Sequence, residues 1–192
     1  MAQLILNEND YRIYRSQLIV DNFPSFVTEA RAGVRKIQKL FGVRTDSTRF
    51  YWGYNAFAAT SGNLLFYQLY LELMQVIRDY AGHNDPLWFE CWINNHRPNE
   101  VLKWHDHEWP FHGYISIDPK DTVTVFKDYR IENKIGNIYI GPGNRPHSVE
   151  VNQKYPEPRI TMGFDVCGAD RMSDGVMMIP VPPMALSSNV HR

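Results

Sequence analysis

Three histidines and two carboxylates fall within eight positions of Lys103-Trp104-His105-Asp106-His107-Glu108-Trp109-Pro110-Phe111-His112. An extended chain sends successive side chains to opposite faces, so His105 and His107 are expected to point the same way. Two imidazoles on one face, joined by a third ligand from elsewhere, make a site for a divalent transition metal. His147 is the third ligand expected. It closes Gly141-Pro142-Gly143-Asn144-Arg145-Pro146-His147, a turn-rich stretch between two apolar alternating runs. A His-x-His pair alone is a weak signal, because solvated or structural histidines at this spacing are common. Trp104 and Trp109 strengthen it as an apolar collar that would exclude water. The next segment has His112, Tyr114 and Ser116 on one face and Phe111, Gly113, Ile115 and Ile117 on the other. A face of ring nitrogens and hydroxyls suits the wall of a cavity inside a barrel. It equally suits the wet face of a half-buried sheet.

The elements that must position these residues fall into two halves. Leu4-Ile5-Leu6 and Leu18-Ile19-Val20 are short apolar runs of strand type. Ser25 to Phe41 reads as a helix, with Phe26, Ala30, Val34, Ile37 and Phe41 at helical spacing, Ser25 as N-cap and Gly42 as stop. Residues 43–60 show no period and are read as loop or irregular strand. Over 62–81, Gln68, Glu72, Gln75 and Asp79 form one polar stripe on an otherwise apolar helix, with Ser61 as cap and Gly82 as stop. After Pro86, strand candidates follow at 87–94, 111–117, 122–126, 136–140, 147–151, 159–166 and 176–181. Turn residues such as Asp118-Pro119, Pro142-Gly143-Asn144 and Ser173-Asp174-Gly175 separate them. Short strands after two helices predict a mainly β, α+β fold: a double-stranded β-helix, or jelly-roll barrel, flanked by two N-terminal helices. The expected organisation is a single domain, 1–192. Residues 1–85 would support a metal-binding β-barrel core at 86–181, and 182–192 form a proline-rich, then polar tail.

Composition narrows the function classes. The formal net charge is -1, which leaves no basic footprint for duplex nucleic acid. Aromatic residues make up 14%, in keeping with a β-rich fold. Cys91 and Cys167 lie far apart, too few for a secreted disulfide scaffold, and point to a reducing compartment. No signal sequence or membrane span is evident, so a cytoplasmic protein without a membrane partner is expected. Oligomeric state is open, with a homo-oligomer compatible.

A family resemblance rests on residues 88–166. His105-x-His107, followed by His112-Gly113-Tyr114-Ile115-Ser116-Ile117, resembles the first metal motif of iron(II)/2-oxoglutarate-dependent oxygenases of phage and bacteria. Trp92-Ile93-Asn94 stands where their upstream Trp-x-Asn strand would be. Gly136-Asn137-Ile138-Tyr139-Ile140 leads to Pro142 and His147-Ser148-Val149. Arg159-Ile160-Thr161 then begins twelve positions after His147. In the wider superfamily an Arg-x-Ser/Thr strand follows the distal metal histidine and binds the far carboxylate of 2-oxoglutarate. The resemblance implies Fe(II) on His105, His107 and His147, 2-oxoglutarate on Arg159 and Thr161, and Asn94 and Tyr114 lining the pocket. It implies a dioxygenase that converts 2-oxoglutarate to succinate and CO2 while oxidising a substrate the sequence does not identify. The residues agree for Arg159: a guanidinium pairs with a carboxylate through two parallel hydrogen bonds, and Arg-x-Thr on a strand points both side chains one way.

The sequence also departs from that pattern. Most members hold iron with His-x-Asp and a distal His, and His107 stands where the Asp would be. Either the centre has three histidines, which leaves the metal more positive, or a bulge turns Asp106 or Glu108 inward. The departure keeps a second resemblance in play. Metal cupins share the barrel and bind through His-x-His, a ligand about five residues on, and a distal His. His112 occupies that further position, where cupins usually have Glu. Such a protein would be a cofactor-free dioxygenase, an isomerase or a small-molecule binder; a different class, a degenerate barrel that binds a metal or ligand without turnover as a virion or interaction component, also stays open.

Overall fold

The computed structural model describes residues 1–42, 54–60, 62–171 and 177–186. Strands β1 (Gln3–Asn7) and β2 (Arg12–Arg15) come first, then helices α1 (Gln17–Asp21), α2 (Phe23–Phe41), α3 (Ala56–Thr60) and α4 (Leu64–Ala81). The remaining strands are β3 (Leu87–His96), β4 (Leu102–His105), β5 (Phe111–Asp118), β6 (Thr122–Phe126), β7 (Arg130–Glu132), β8 (Asn137–Pro142), β9 (His147–Val151), β10 (Arg159–Gly168) and β11 (Ile179–Pro180). They form a seven-stranded sheet, ordered β1-β2-β8-β5-β10-β3-β11, and a four-stranded sheet, β4-β9-β6-β7. Every pairing is antiparallel. The result is the expected jelly-roll class of fold, with helices packed on one sheet.

Alternation along the strands divides the large sheet into two chemistries. One face carries Phe89, Cys91 and Ile93 of β3, Ile115 and Ile117 of β5, and Ile160, Met162, Phe164 and Val166 of β10, all buried against α2 and α4. Uncovered, these side chains would each forfeit ~1.5–3 kcal/mol, together comparable to the whole stability of an ordinary domain. The helices are therefore obligatory cover. The opposite face carries Trp92, Asn94, His96, His112, Tyr114, Arg159, Thr161 and Gly163, and it looks toward the four-stranded sheet.

Several local expectations are corrected. Helix α2 begins at Phe23 with Asn22 as N-cap and Pro24 in its first turn, so Ser25 lies inside the helix and does not cap it. Pro is suited to that turn because its missing N–H would have had no partner there. Helix α4 is capped by Asn63, whose Oδ1 accepts from the Leu65 and Phe66 amides at 2.9 and 3.2 Å. Ser61, and the turn at Ser173-Asp174-Gly175, lie outside the described residues. Leu18-Ile19-Val20 is helical in α1, where the Ser16 hydroxyl accepts from the Ile19 amide. Of the segment 43–60, residues 56–60 form α3, and 43–53 are outside the described residues.

Part of the polar stripe of α4 is turned inward. The Ser16 hydroxyl donates to buried Glu72 at 2.5 Å, and Gln75 donates to the Ala185 carbonyl. Gln68 is exposed, as are Leu64, Tyr67 and Leu71. Glu72 and Gln75 reach partners on neighbouring segments, which periodicity alone does not reveal. Strands β2, β4 and β7 were not expected. Among the described residues no helix is long and apolar enough to cross a membrane.

Candidate metal centre and anion pocket

His105 is the last residue of β4 and His147 the first of β9, and they stand directly opposite in the antiparallel register. Their ring centroids are 4.4 Å apart. His107 lies two residues beyond the strand, so simple alternation is not what aims it. Its amide donates to the Gly143 carbonyl at 3.0 Å, and the Gly143 amide donates to Pro110 at 3.1 Å. This reciprocal clip draws the 106–110 loop against the turn before β9. A side chain at 143 would overlap the Trp109 carbonyl, so the close approach requires glycine. The His107 ring then sits 5.5 Å from His105 and 5.6 Å from His147. The three histidines bring one nitrogen each to within 4.8 Å of one another.

Hydrogen bonding fixes which nitrogen each ring offers. His105 Nδ1 is 2.7 Å from the Lys103 carbonyl, and His147 Nδ1 is 3.0 Å from the Arg145 carbonyl. A carbonyl only accepts, so both Nδ1 atoms carry the proton and both Nε2 atoms keep a lone pair. His107 Nδ1 is 2.9 Å from Asp165 Oδ2, and its Nε2 is buried without a partner. Burial alone would oppose ionisation of Asp165. The rings of His112 and His107 outweigh it, through charge and hydrogen bonds, and bring the Asp165 pKa down to about 2. Ionised, Asp165 can only accept, which makes His107 an Nδ1–H tautomer as well. Carboxylate or carbonyl on one nitrogen with a lone pair on the other is the usual arrangement of metal-ligating imidazoles.

His112 is tied to the same carboxylate, with Nδ1 2.7 Å from Asp165 Oδ1, and its ring stacks on His107 at 3.5 Å. It groups with His107 and Asp165 rather than with the His105, His107 and His147 set. Burial pushes its pKa down to about 4 against the pull of Asp165. Burial, reinforced by His112, takes His147 down to about 3, with the Arg145 carbonyl opposing. Both are neutral at physiological pH, the form that binds metal.

Asp106 and Glu108 are exposed and outside the cluster, so neither is turned inward by a bulge. The carboxylate that the sequence seemed to lack is Asp165, one layer behind the ring nitrogens. Sequence reading missed it, although parity could have found it: Arg159, Thr161, Gly163 and Asp165 share one face of β10. The tryptophan collar is also corrected. Trp104 is 57% exposed. Trp92 lies beside His107 and His112, with centroids at 6.1 and 6.4 Å. Its indole occupies the space over Gly163, where any side chain would collide with it.

The cluster opens into a cavity of about 180 Å3 between the sheets. Its large-sheet wall is a ladder of facing pairs: Gly163 with Trp92, Thr161 with Asn94, Arg159 with His96. Leu102, Thr124 and Val149 form the opposite wall. Asn94 Nδ2 donates to the Thr161 hydroxyl at 3.5 Å. Tyr114 lines the cavity with its buried hydroxyl beside Thr124, and burial raises its pKa well above the usual phenol range, with Thr124 opposing. Arg159 is 1% exposed, yet its Nε and Nη2 have no hydrogen-bond partner among the described residues. Burial lowers its pKa from the ordinary value, with Tyr155 and Glu100 opposing. Those two nitrogens form one edge of the guanidinium, the edge that grips a carboxylate with two parallel bonds. A buried cation with that edge vacant is costly unless an anion completes it.

The sequence matches no family model, and no curated protein matches it significantly. Solved structures do resemble it. The non-heme α-ketoglutarate-dependent carbocyclase SnoK of nogalamycin biosynthesis superposes with a TM-score of 0.56 at 14% identity, over 92% of this chain and 89% of that one. The non-heme monooxygenase ThoJ, in its nickel complex, gives 0.55 at 9% identity, over 95% and 81%. The α-ketoglutarate-dependent epimerase SnoN gives 0.54 at 14% identity, over 83% and 79%. At such identities the likeness shows the fold, a cupin-like double-stranded β-helix shared with non-heme iron enzymes, and function has to come from the site.

Proposed function

We propose that the protein is an Fe(II)- and 2-oxoglutarate-dependent dioxygenase, with iron on the Nε2 atoms of His105, His107 and His147. The observation that carries this reading is one cavity with lone pairs at one end and a vacant buried guanidinium edge at the other. The residues fit the metal: three imidazoles whose Nδ1 atoms each meet an acceptor, one Nε2 buried and partnerless, and an anionic Asp165 supplying charge from behind. They fit the cosubstrate too. Arg159 takes the far carboxylate by its open edge, Thr161 adds a hydroxyl, and Leu102 and Val149 face the methylenes. Asn94 and Tyr114 border the slot. Bound iron supplies oxygen activation coupled to conversion of 2-oxoglutarate into succinate and CO2. The protein's own part is to orient the cosubstrate, exclude water and hold the ligand tautomers. The structural relatives SnoK and SnoN, described as α-ketoglutarate-dependent, agree with this reading.

A second reading, the metal cupin, is favoured by His112 at the further-ligand position beside His107. The two differ in open coordination positions. Three protein ligands would leave coordination positions for a chelating cosubstrate and O2, whereas a fourth imidazole would compete for them. The test is anaerobic addition of Fe(II) and 2-oxoglutarate. A visible charge-transfer band that is lost in Arg159→Ala is expected, with succinate release on admitting air. No band, or one indifferent to Arg159→Ala, overturns the dioxygenase reading.

A further inference from the structure

Arg159 is not the only unmet group at its end of the cavity. His96 faces it in the β3–β10 register, is 3% exposed, and has a partnerless buried Nε2. Tyr155 is buried behind the guanidinium, and its hydroxyl supports Arg159. Two residues from two strands, His96 and Arg159, thus leave three polar atoms unpaired around one corner. An interior ordinarily pairs more than nine in ten of such groups.

The corner is built to stay in place. The Tyr155 amide donates to Asn99 Oδ1 at 2.9 Å, clipping the loop before β10 to the turn after β3. Asn99 takes a left-handed conformation with φ 63° to do so. In the same turn, Glu100 accepts from the Arg97 amide at 2.8 Å and lies 3.8 Å from His96 Nδ1, too far for a hydrogen bond. Glu100 is also the one carboxylate on the cavity wall, and at 40% side-chain exposure it is screened by solvent. It does not cancel the demand of the guanidinium edge.

We propose that His96 is a further cosubstrate-binding residue: it meets the carboxylate that Arg159 grips and makes this corner selective for an anionic terminus. A carboxylate offers about four acceptor directions. The Arg159 edge takes two and Thr161 one, which leaves one for His96. Burial, with Arg159 alongside, holds His96 neutral, so it serves as a neutral donor that adds no second cation.

This inference rests on the dioxygenase reading, and the experiment separates the two. The Ni(II)-loaded protein is titrated with 2-oxoglutarate and with 2-oxobutyrate, which chelates the same way but lacks the far carboxylate. The selectivity ratio is measured for the parent, His96→Phe, His96→Gln and Arg159→Met, with a thermal melt and metal stoichiometry for each. His96→Phe should weaken 2-oxoglutarate about tenfold, one hydrogen bond to a charged group, and leave 2-oxobutyrate unchanged. His96→Gln, which keeps a donor, should restore part of the ratio, and it carries the test if His96→Phe does not fold. An unchanged ratio in the His96 variants, while Arg159→Met collapses it, overturns the role of His96 alone. An unchanged ratio in Arg159→Met overturns the dioxygenase reading beneath it.

Discussion

Asp165→Asn isolates what a carboxylate behind the metal ligands contributes. Asp165 accepts from two imidazoles, His107 at 2.9 Å and His112 at 2.7 Å. An amide has one accepting oxygen and one donating nitrogen. Whichever ring meets the nitrogen must move its proton to Nε2. With metal bound, the amide oxygen should turn to His107 and the tautomer change should fall on His112, so the ligand set survives. The charge does not. A carboxylate hydrogen-bonded across an imidazole lies ~7 Å from the ion, allowing for the ring and a ~2.1 Å ligand bond. At an effective dielectric of ~20, one and two charges at that separation interact by ~5 kcal/mol. That is a ceiling, because replacing such outer partners usually costs 10–100-fold in metal affinity. Asp165→Asn is therefore expected to weaken Ni(II) or Fe(II) binding ~100-fold, read by calorimetric titration at neutral pH under argon. Asp165→Ala, which supports neither tautomer, should do worse. A folded Asp165→Asn protein whose affinity stays within threefold of the parent would refute the reasoning.

The metal-free protein should lose stability in mild acid. His96, His112 and His147 have pKa values depressed to about 3, 4 and 3. The unfolded chain titrates near 6.5 and so binds more protons than the folded one below that pH. Stability should be level above ~7 and fall from ~6.5 toward ~4, by up to ~1.4 kcal/mol per pH unit for each proton; urea midpoints that are flat between pH 7 and 5 would contradict this. Gly143→Ala, whose new Cβ would collide with the Trp109 carbonyl, should break the clip that aims His107 and lower metal affinity at least tenfold, read in the same titration. Arg78 donates to the carbonyls of Pro182, His83, Asp85 and Val181. Arg78→Met should strand them and lower stability by on the order of 3 kcal/mol, seen as a lower urea midpoint with metal affinity retained.

Strand residues were legible in the sequence because period-two alternation carries both the core and the cavity wall. Ile115 and Ile117 went to one side of β5, and His112 and Tyr114 to the other. The sequence also pointed to His105, His107, His147, Arg159 and Thr161 as neighbours of one pocket, and they line it together. The missing parts depend on contacts between distant segments. Asp165 looks like any acid near the end of an apolar strand until His107 and His112 are seen against it. His107 is aimed by Gly143, thirty-six residues away. Trp104 and Trp92 are chemically alike, and only the sheet order decides which covers the site. Glu72 and Gln75 of the α4 polar stripe similarly found Ser16 and Ala185.

The most direct test of the central claim is the anomalous-scattering map of a crystal grown with Ni(II) or Fe(II). One peak is expected, at ~2.0–2.2 Å from Nε2 of His105, His107 and His147, with no carboxylate oxygen in contact and His112 still bonded to Asp165. A peak bound by Nδ1 atoms, by Asp106 or Glu108, or lying at Asp165 itself would contradict it.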